Sequence, residues 1–306
     1  MIGQLPSIGP AAVVMGVFDG VHRGHRAMLQ ATRQAARESG AASVALVFDP
    51  HPDEVIHAGR RVPRLMPPAV VERRLSGQGI EVVHLVHFDR QLQGVAAEEF
   101  LAMLDPAIEL RRLVMTPQSA FGRGRGGTVA RMREHGREVG FEVVTVDPVI
   151  DDGEPVSSSR IREAVAAGDL STVRRLGSPA YLEGTVVEGD HRGRELGYPT
   201  ANLRIDYVPA MPPNGIYTGR AAVPARGVGP GHRALVSIGV RPTFHPHGAR
   251  LVEVHLLDFD GDLYGASLEL ELHDRLRDEQ RFGDAAALVA QMHRDEADAR
   301  RLLGPG

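Results

Sequence analysis

The sequence predicts an α/β domain with a mostly parallel sheet, followed by a small antiparallel β-barrel with a terminal helix. Three observations lead to this fold class. Strand-like apolar runs alternate with helical patterns up to about residue 176, strand-like runs then follow one another, and one amphipathic helix closes the chain. Strand–helix alternation is typical of a parallel sheet covered by helices. Consecutive short strands are typical of a barrel.

The first part contains five predicted strands, each a short run rich in Val, Leu and Phe. They cover residues 11–18, 43–48, 81–88, 112–115 and 141–146. Helical patterns cover residues 25–38, 68–77, 96–104, 127–139, 160–167 and 169–176. Gly40 and Gly140 follow two of these patterns, and a glycine after the last periodic residue indicates a helix end.

The second part contains five further strand-like runs and one helix. The runs cover residues 181–189, 215–223, 233–239, 250–259 and 266–272. Asp260-Gly261 separates the last two runs, which predicts a hairpin turn there. The helix covers 284–303, with one apolar face and with Arg and Asp on the other. That face is formed by Leu288, Val289, Met292, Ala299, Leu302 and Leu303. We place the boundary at "LGSPAY", which gives domains 1–178 and 179–306.

Composition excludes several kinds of chemistry. The chain has 306 residues, no cysteine and no lysine. Disulfides, thiolate metal sites, a P-loop lysine and lysyl intermediates are therefore excluded, and phosphates must be held by Arg, His, hydroxyls, backbone N–H groups or a metal. A net charge of −4 argues against a general nucleic-acid partner. We find no 18-residue apolar run and no signal-peptide pattern, so we expect no membrane partner and a cytoplasmic location.

The stretch "GVFDGVHRGH", residues 16–25, joins the first predicted strand to the first predicted helix. Ligands of doubly wound sheets bind beyond the carboxyl ends of strands, where a helix N-terminus favours anions. Gly16 and Gly20 let backbone approach a phosphate, and His22 and His25 lie one helical turn apart. An ordinary surface loop is the plain alternative. A zinc site is disfavoured because no third ligand is evident.

Four segments of the first part carry a more specific resemblance. They are "GVFDGVHRGH" (16–25), "FDPHP" (48–52), "FGRGRGG" (121–127) and "VSSSRIREAV" (156–165). The first is similar to the HxGH signature of nucleotidylyltransferases. In order and spacing the four resemble the FMN adenylyltransferase module of the bifunctional bacterial riboflavin kinase/FAD synthetase family.

This resemblance implies a Rossmann-like nucleotidylyltransferase domain that transfers AMP from ATP to the phosphate of FMN, with Mg²⁺ present, and releases pyrophosphate. A phosphate oxygen is already a nucleophile, so the protein must mainly position two anions and neutralise the leaving group. The catalytic residues implied are His22 and His25. The nucleotide-binding residues implied are Gly16, Phe18, Asp19, Gly20, His22, His25, Ser157, Ser158, Ser159 and Arg160.

One segment departs from the family pattern. Before "FGRG" the family usually has a segment like "VG-x-D/N-F-x", whereas this chain has "MTPQSA" at Met115–Ala120. Gln118 takes the Asp or Asn position, and Ser119 takes the aromatic one. The change is compatible with full activity, with another nucleotide preference or with a weakened transferase.

The second part resembles riboflavin kinase. Its glycine-rich stretch at residues 184–203 is not a Walker A loop, because no lysine completes that motif. Its end, "GYPTANL", resembles the PTAN motif of riboflavin kinases. The resemblance continues through "NGIYTG", "SIGVRPTF", "VEVHLLDFDGDLYG" and "RLRDEQRF", and so covers nearly all of residues 180–303.

This second resemblance implies a six-stranded barrel with roles for named residues. Glu253 would be the general base for the ribityl 5′-hydroxyl, and Thr200 would bind Mg²⁺ together with Asn202. The implied ATP-binding residues are Gly184, Arg192, Arg194, Gly197, Thr200 and Asn202, and the implied flavin-binding residues are Arg277 and Phe282. For Glu253 alone, an outward-facing surface carboxylate is the plain alternative.

Three functions are consistent with these observations. The first is a bifunctional enzyme with riboflavin, FMN and ATP as small-molecule substrates. The second is a riboflavin kinase whose N-terminal domain is inactive or prefers another nucleotide, and it is motivated by "MTPQSA". The third is a flavin- or nucleotide-binding regulator without catalysis. Thr200, Asn202 and Glu253 argue against this last function, because a protein that only binds needs no general base.

Overall fold

The computed structural model describes residues 5–189, 197–240 and 250–305, and these form two compact units. The first unit contains the described residues up to Val62 together with Pro67–Ser158. The second contains Pro63–Met66 and the described residues from Ser159 onward. The functional boundary between residues 178 and 179 stays a prediction.

The first unit alternates strands and helices, as expected. Its strands are β1 (Gly9–Gly16), β2 (Ala42–Asp49), β3 (Val82–His87), β4 (Ile108–Met115), β5 (Ala120–Phe121), β6 (Gly127–Thr128), β7 (Glu142–Thr145), β8 (Ile150–Asp151) and β9 (Glu154–Pro155). Its helices are α1 (Arg23–Ser39), α2 (Pro52–Ile56), α3 (Pro68–Gly77), α4 (Arg90–Gln93), α5 (Ala97–Ala102) and α6 (Val129–Val139), with a 3₁₀ turn at Arg123–Arg125. Two further helices follow, α7 (Ser158–Ala167) and α8 (Leu170–Arg175), which from Ser159 onward belong to the second unit.

Five of these strands form one parallel sheet, which confirms the predicted fold class. The strand order is β3-β2-β1-β4-β7, so the direction of winding reverses between β1 and β4. Val13, Val44, Leu46 and Leu113 belong to the buried core of this unit. In a sheet of this topology the ligand crevice lies at the carboxyl ends of the strands where the order reverses. Those ends are Gly16 and Met115.

The two predicted glycine helix ends are confirmed. Gly40 caps α1 with φ 60°, and Gly140 caps α6 with φ 97°, both in the left-handed region that glycine adopts readily. Sequence reasoning missed α2, α4 and the small hairpins β5–β6 and β8–β9. Elements of two to five residues are too short to show a hydrophobic period.

The second unit is a closed antiparallel barrel of six strands with a C-terminal helix, as the resemblance implies. Its strands are β10 (Ala180–Val187), β11 (Ala201–Arg204), β12 (Gly215–Val223), β13 (Val228–Val240), β14 (Arg250–Leu256) and β15 (Ser267–Arg277). A 3₁₀ turn lies at Pro224–Arg226, and the helix is α9 (Ala285–Leu303). The barrel order is β10-β11-β14-β13-β12-β15, and closure leaves no free sheet edge.

The predicted hairpin at Asp260-Gly261 is wrong. β14 pairs with β11 and β13, whereas β15 pairs with β10 and β12, so the strands on either side of this dipeptide are not neighbours. Asp260-Gly261 lies instead in the long connection between β14 and β15. A turn dipeptide reports a change of chain direction and carries no information about which strands pair.

The predicted apolar face of α9 is also partly wrong. Ala299 and Leu303 are buried, but Leu302 is 44% exposed. Asp295, expected on the polar face, is buried. Its carboxylate is tolerated there because it is paired with an arginine of the barrel.

Candidate active sites

The first candidate site is the turn between β1 and α1. His22 is the N-cap of α1, and its Nδ1 accepts a hydrogen bond of 3.3 Å from the backbone N–H of His25. The two imidazole rings stack with centroids 3.6 Å apart, and Phe18 contacts His25 edge-on at 5.2 Å. The structure thus brings the two predicted catalytic histidines together at a helix N-terminus, where a positive dipole end favours anions.

The backbone of this turn is strained. Phe18 has φ 53° and Val21 has φ 40°, both in the left-handed region that is uncommon outside glycine. Each such residue costs about 1–3 kcal/mol and persists only where the surroundings fix it. Both side chains are buried, and the N–H of Val21 donates to the carbonyl of Phe18 at 3.0 Å. Gly20, at φ 89°, takes the one position where this geometry costs little.

Residues 151–158, which we call the strap, pack on this turn. The Ser158 hydroxyl donates to the backbone carbonyl of Asp19 at 2.8 Å. Arg23, at the start of α1, forms an ion pair of 3.0 Å with Asp151. A Cβ built on Gly24 would lie 3.3 Å from the carbonyl oxygen of Val156, so a glycine allows this close approach.

The segment that departs from the family pattern, Met115–Ala120, also lies at the carboxyl ends of the parallel strands, where β4 ends. The Ser119 hydroxyl accepts a hydrogen bond of 3.1 Å from the N–H of Thr116 and lies 2.8 Å from the Thr116 hydroxyl. The carbonyl of Gln118 accepts a bond of 3.2 Å from Arg125. Met115–Ala120 therefore forms a turn closed by its own hydroxyl groups.

The second candidate site is a cavity of about 950 Å³ in the barrel unit. Five residues singled out from the sequence line it: Thr200, Asn202, Glu253, Arg277 and Phe282. Glu253 pairs with Asn202 across β11 and β14, and with Ser237 across β13 and β14. Its strand neighbours Val252 and Val254 are buried, so its side chain points away from theirs.

Asn202 carries an unsatisfied polar atom. The residue is only 5% exposed, and its Oδ1 has no hydrogen-bond partner among the residues that the structure describes. A buried carbonyl oxygen without a partner costs about 1–3 kcal/mol, so a ligand that binds it regains that energy. Gly189 covers the Asn202 amide so closely that a Cβ there would collide with it.

The donor set around Asn202 fits Mg²⁺. This ion prefers oxygen ligands and usually binds through one or two protein groups, with substrate phosphates and water completing its shell. The cavity offers the amide oxygen of Asn202, the Thr200 hydroxyl and the Glu253 carboxylate. Within the described ranges there is no cluster of three or more His, Cys, Asp or Glu side chains that could hold a metal by themselves.

The lining of the cavity also includes an arginine held in a fixed orientation, Arg277. Nε and Nη2 of Arg277 bind both carboxylate oxygens of Asp295 at 2.6–3.1 Å. Its Nη1 donates to the carbonyl of Asp278 at 3.0 Å. The guanidinium carbon lies 5.9 Å from the ring centroid of Phe282. The two predicted flavin-binding residues are therefore in contact with each other.

Comparison with known proteins identifies the family of each part of the chain. The FAD synthetase family model matches residues 6–160, and the riboflavin kinase family model matches residues 176–303. A bifunctional riboflavin kinase/FMN adenylyltransferase from Escherichia coli (strain K12) is 34% identical over 309 residues, which cover 99% of this chain and 96% of that protein. The corresponding Pseudomonas fluorescens protein is 36% identical, covering 95% and 92%. This chain belongs to the bifunctional riboflavin kinase/FMN adenylyltransferase family.

A solved structure resembles the whole chain. A Streptococcus pneumoniae protein, named a macrolide-efflux protein, superposes with a TM-score of 0.85 at 31% identity and covers 98% of this chain and 95% of its own. That name describes the other protein. In the part of this chain that the structure describes, no helix is long and apolar enough to span a membrane.

Two glycines predicted to bind ATP, Gly184 and Gly197, do not line the barrel cavity. Gly184 lies outside the cavity lining, in β10, where a Cβ would approach the carbonyl oxygen of Arg204 to 2.7 Å, so a glycine there serves strand packing. Gly197 has φ 83° and is exposed. Arg192 and Arg194 lie outside the described residues.

The nucleotide-binding residues predicted at positions 157–160 are half-buried or exposed, and the division of the chain into two units falls among them. Ser157 and Ser158 belong to the first unit, and Ser159 and Arg160 to the second. Ser157 and Ser158 are half-buried, and Ser159 is exposed.

Sequence reasoning missed residues of this family member that support the barrel site. Asp295 orients Arg277, and Gln291 donates to Asp295 at 2.8 Å. The buried Tyr198, which lines the cavity, places its hydroxyl 2.7 Å from Nδ1 of His293 and donates to Glu296 at 3.2 Å. The only sequence signal for Asp295 was its spacing of four residues from both Gln291 and Ala299, which places all three on one helix face.

Proposed function

We propose that this bifunctional enzyme carries out its reactions in separate domains, riboflavin kinase in residues 179–306 and FMN adenylyltransferase in residues 1–178. In the first reaction, the terminal phosphoryl group of ATP passes to the 5′-hydroxyl of riboflavin, giving FMN and ADP. In the second, AMP passes from ATP to the phosphate of FMN, giving FAD and pyrophosphate. The observation that carries the proposal is the barrel cavity, where Glu253 lies across from Asn202 and its unsatisfied oxygen.

In the kinase reaction, Glu253 accepts the proton of the ribityl 5′-hydroxyl as that oxygen attacks the phosphoryl group. A primary hydroxyl is a weak nucleophile, so a positioned carboxylate lowers the barrier. Arg277 and Phe282, which line the same cavity, bind the flavin. The volume of about 950 Å³ is within the range of cavities that enclose small-molecule ligands.

Thr200 and Asn202 hold Mg²⁺ together with the ATP phosphates. When bound, the ion neutralises charge on the phosphates during transfer. The buried and unsatisfied Oδ1 of Asn202 supports this role.

In the adenylyltransferase reaction, the attacking group is the phosphate of FMN and needs no strong base. His22, His25 and the N-terminus of α1 bind the triphosphate and stabilise the negative charge that develops on the leaving pyrophosphate. The imidazole stack and the helix cap of His22 hold this geometry before substrate arrives. Ser157, Ser159 and Arg160 stay nucleotide-binding residues implied by the family resemblance.

Product analysis tests the proposal directly. Purified protein with riboflavin, ATP and Mg²⁺ should give FMN first and FAD later, separated by chromatography. Absence of both products would contradict the proposal. We place the reactions in the cytoplasm, where both steps find ATP.

A different nucleotide preference in the first domain is the second candidate, because Met115–Ala120 departs from the family pattern at the carboxyl end of β4. Supplying FMN with each of the four nucleoside triphosphates separates the cases. FAD from ATP as the main product supports the first proposal. Preference for another triphosphate supports a changed specificity, and no dinucleotide from any of the four supports loss of the transferase.

A further inference from the structure

Ser158 has a hydrogen bond that conflicts with the role suggested by its motif. Its hydroxyl donates to the backbone carbonyl of Asp19 at 2.8 Å. A serine hydroxyl has one proton. While this bond exists, Ser158 has no proton to donate to a phosphate, although it belongs to the serine run predicted to bind one.

The acceptor of this bond lies in the strained turn. Asp19 is buried and stands between Phe18 and Val21, the two residues of this turn that have positive φ without being glycine. Val21 is β-branched, so its backbone conformation is a strong outlier. Such a conformation persists only where the surrounding contacts over-determine it. The strap (residues 151–158) supplies contacts from outside the turn, and the bond from Ser158 is made directly to the backbone of the turn.

Fixing this carbonyl fixes more than one atom. The peptide unit between Asp19 and Gly20 is planar, so its N–H points away from the carbonyl and hence away from Ser158. The turn that follows leads directly to His22, which caps α1 and stacks on His25. If the Ser158 hydroxyl donated to a phosphate instead, the buried Asp19 carbonyl would lose this partner. The free energy of the folded turn would then rise.

We infer that Ser158 is a positioning residue of the adenylyltransferase: through the Asp19 carbonyl it fixes the turn that carries His22 and His25, and it does not bind phosphate. The inference rests on the proposed function of the first domain. Loss of a positioning residue lowers the rate of the chemical step, whereas loss of a phosphate ligand weakens ATP binding.

Kinetics of Ser158→Ala in the full chain test the inference. Loss of one hydrogen bond should lower kcat for FAD formation from FMN about tenfold, while KM for ATP changes by less than about twofold. Ser158→Thr, which keeps the hydroxyl, should restore most of the rate. Riboflavin phosphorylation by the same preparation should be unchanged, which shows that the protein is folded. An increase in KM for ATP with unchanged kcat overturns the inference.

Hydrogen exchange tests the positioning without relying on activity. In the absence of nucleotide, Ser158→Ala should speed amide exchange in peptides covering residues 18–25 and leave β2 unchanged. Unchanged exchange at residues 18–25 overturns the inference, even if wild-type protein forms FAD. A wild type that forms no FAD counts against the proposed function alone, because this exchange measurement still decides the role of Ser158. If Ser158→Ala does not fold, Ser158→Cys replaces it, since a thiol of similar size is a weak donor.

A double-mutant cycle with His25→Ala distinguishes positioning from a merely structural effect. If Ser158 acts through the turn that carries His22 and His25, Ser158→Ala should lower kcat for FAD formation by a smaller factor in the His25→Ala background than in the wild type. Additive losses overturn the inference.

Discussion

Arg277 and Asp295 form a mostly buried ion pair, with two guanidinium nitrogens on the carboxylate, between the last barrel strand and the C-terminal helix. Three nitrogen–oxygen distances lie between 2.6 and 3.1 Å, and the two side chains are 16% and 7% exposed. The pair explains how an arginine can form part of the wall of the barrel cavity without carrying an uncompensated charge into it. It also leads to a prediction about helix α9.

Asp295→Asn should weaken both the barrel unit and riboflavin binding. Removing one partner of a buried ion pair costs about 3–5 kcal/mol, because the remaining charge stays uncompensated. Without Asp295, Arg277 also loses its fixed orientation beside Phe282. We therefore expect a lower free energy of unfolding by urea and a raised KM for riboflavin.

Asp298→Asn is the matched control for this change. Asp298 lies on the same helix and pairs with Arg301 at 3.0 Å, but the two side chains are 54% and 69% exposed. Exposed ion pairs contribute about 0–1 kcal/mol. Asp298→Asn should therefore change the free energy of unfolding and KM for riboflavin little. Equal effects of the two substitutions would contradict a special role for Asp295.

Gly189→Ala should abolish most FMN formation. A Cβ at this position would collide with the amide of Asn202, which is buried and has little room to move. Displacement of a positioning group by about 1 Å can cost on the order of 100-fold in rate. The measurement is riboflavin phosphorylation, with FAD formation from added FMN recorded on the same protein.

Gly229→Ala provides the control in the same barrel. A Cβ on Gly229, in β13, meets no atom within 4 Å, and the substitution should leave both activities unchanged. If Gly189→Ala is equally harmless, then the close packing over Asn202 does not matter for the kinase.

Asp258 should make the stability of the barrel unit depend on acidity. Hydrogen bonds from Arg300, with the nearby charges of Arg300 and Arg233, lower the pKa of Asp258 from 3.8 to about 2. Because the folded-state pKa lies below the unfolded one, this contribution is fully present above about pH 4 and is lost as the pH falls toward 2. Asp258→Asn should therefore destabilise the protein at neutral pH and make less difference near pH 3.

Urea unfolding of wild type and Asp258→Asn at both pH values measures this dependence. Asp206→Asn is the control, because Asp206 pairs with one arginine, Arg204, at 3.2 Å, whereas Asp258 pairs with both Arg233 and Arg300 at 2.7–3.0 Å. A difference between wild type and Asp258→Asn that stays constant or grows toward acid would count against the assignment.

The fold class could be predicted from the sequence because it depends on local patterns. Apolar strands followed by helices that end at Gly40 and Gly140 leave a signature that hydrophobic period and cap chemistry reveal. Strand pairing in the barrel could not be predicted this way. β14 and β15 are consecutive strands that do not pair, and nothing in the chain near Asp260 encodes their partners.

The two sites could be predicted only in part. Glu253, Asn202, Arg277 and Phe282 were found through motif resemblance, and the structure brings them to one cavity. Asp295 was missed because an ion pair between segments 18 residues apart leaves no periodic signal. A charged residue in a helix is by default assigned to the exposed face.

Single substitutions in the two sites should separate the two activities. Glu253→Gln keeps the size of the side chain but cannot accept a proton, and loss of a general base typically costs about 10²–10⁴ in rate. FMN formation should fall accordingly, while FAD formation from added FMN stays near the wild-type rate. His25→Ala should give the opposite result, because it removes an imidazole from the proposed triphosphate site and leaves the barrel unchanged. Removing one stabilising donor typically costs roughly 10²–10³.

Each of these variants is the folding control for the other, since the unaffected reaction shows that the same chain is intact. The assay supplies riboflavin or FMN separately and follows FMN and FAD by chromatography. Loss of both activities in either variant would mean that the two reactions share a site or that the substitution unfolds the chain, and circular dichroism distinguishes these causes. A folded Glu253→Gln protein that lost both reactions would contradict the two-site arrangement, because Glu253 and His25 belong to different compact units.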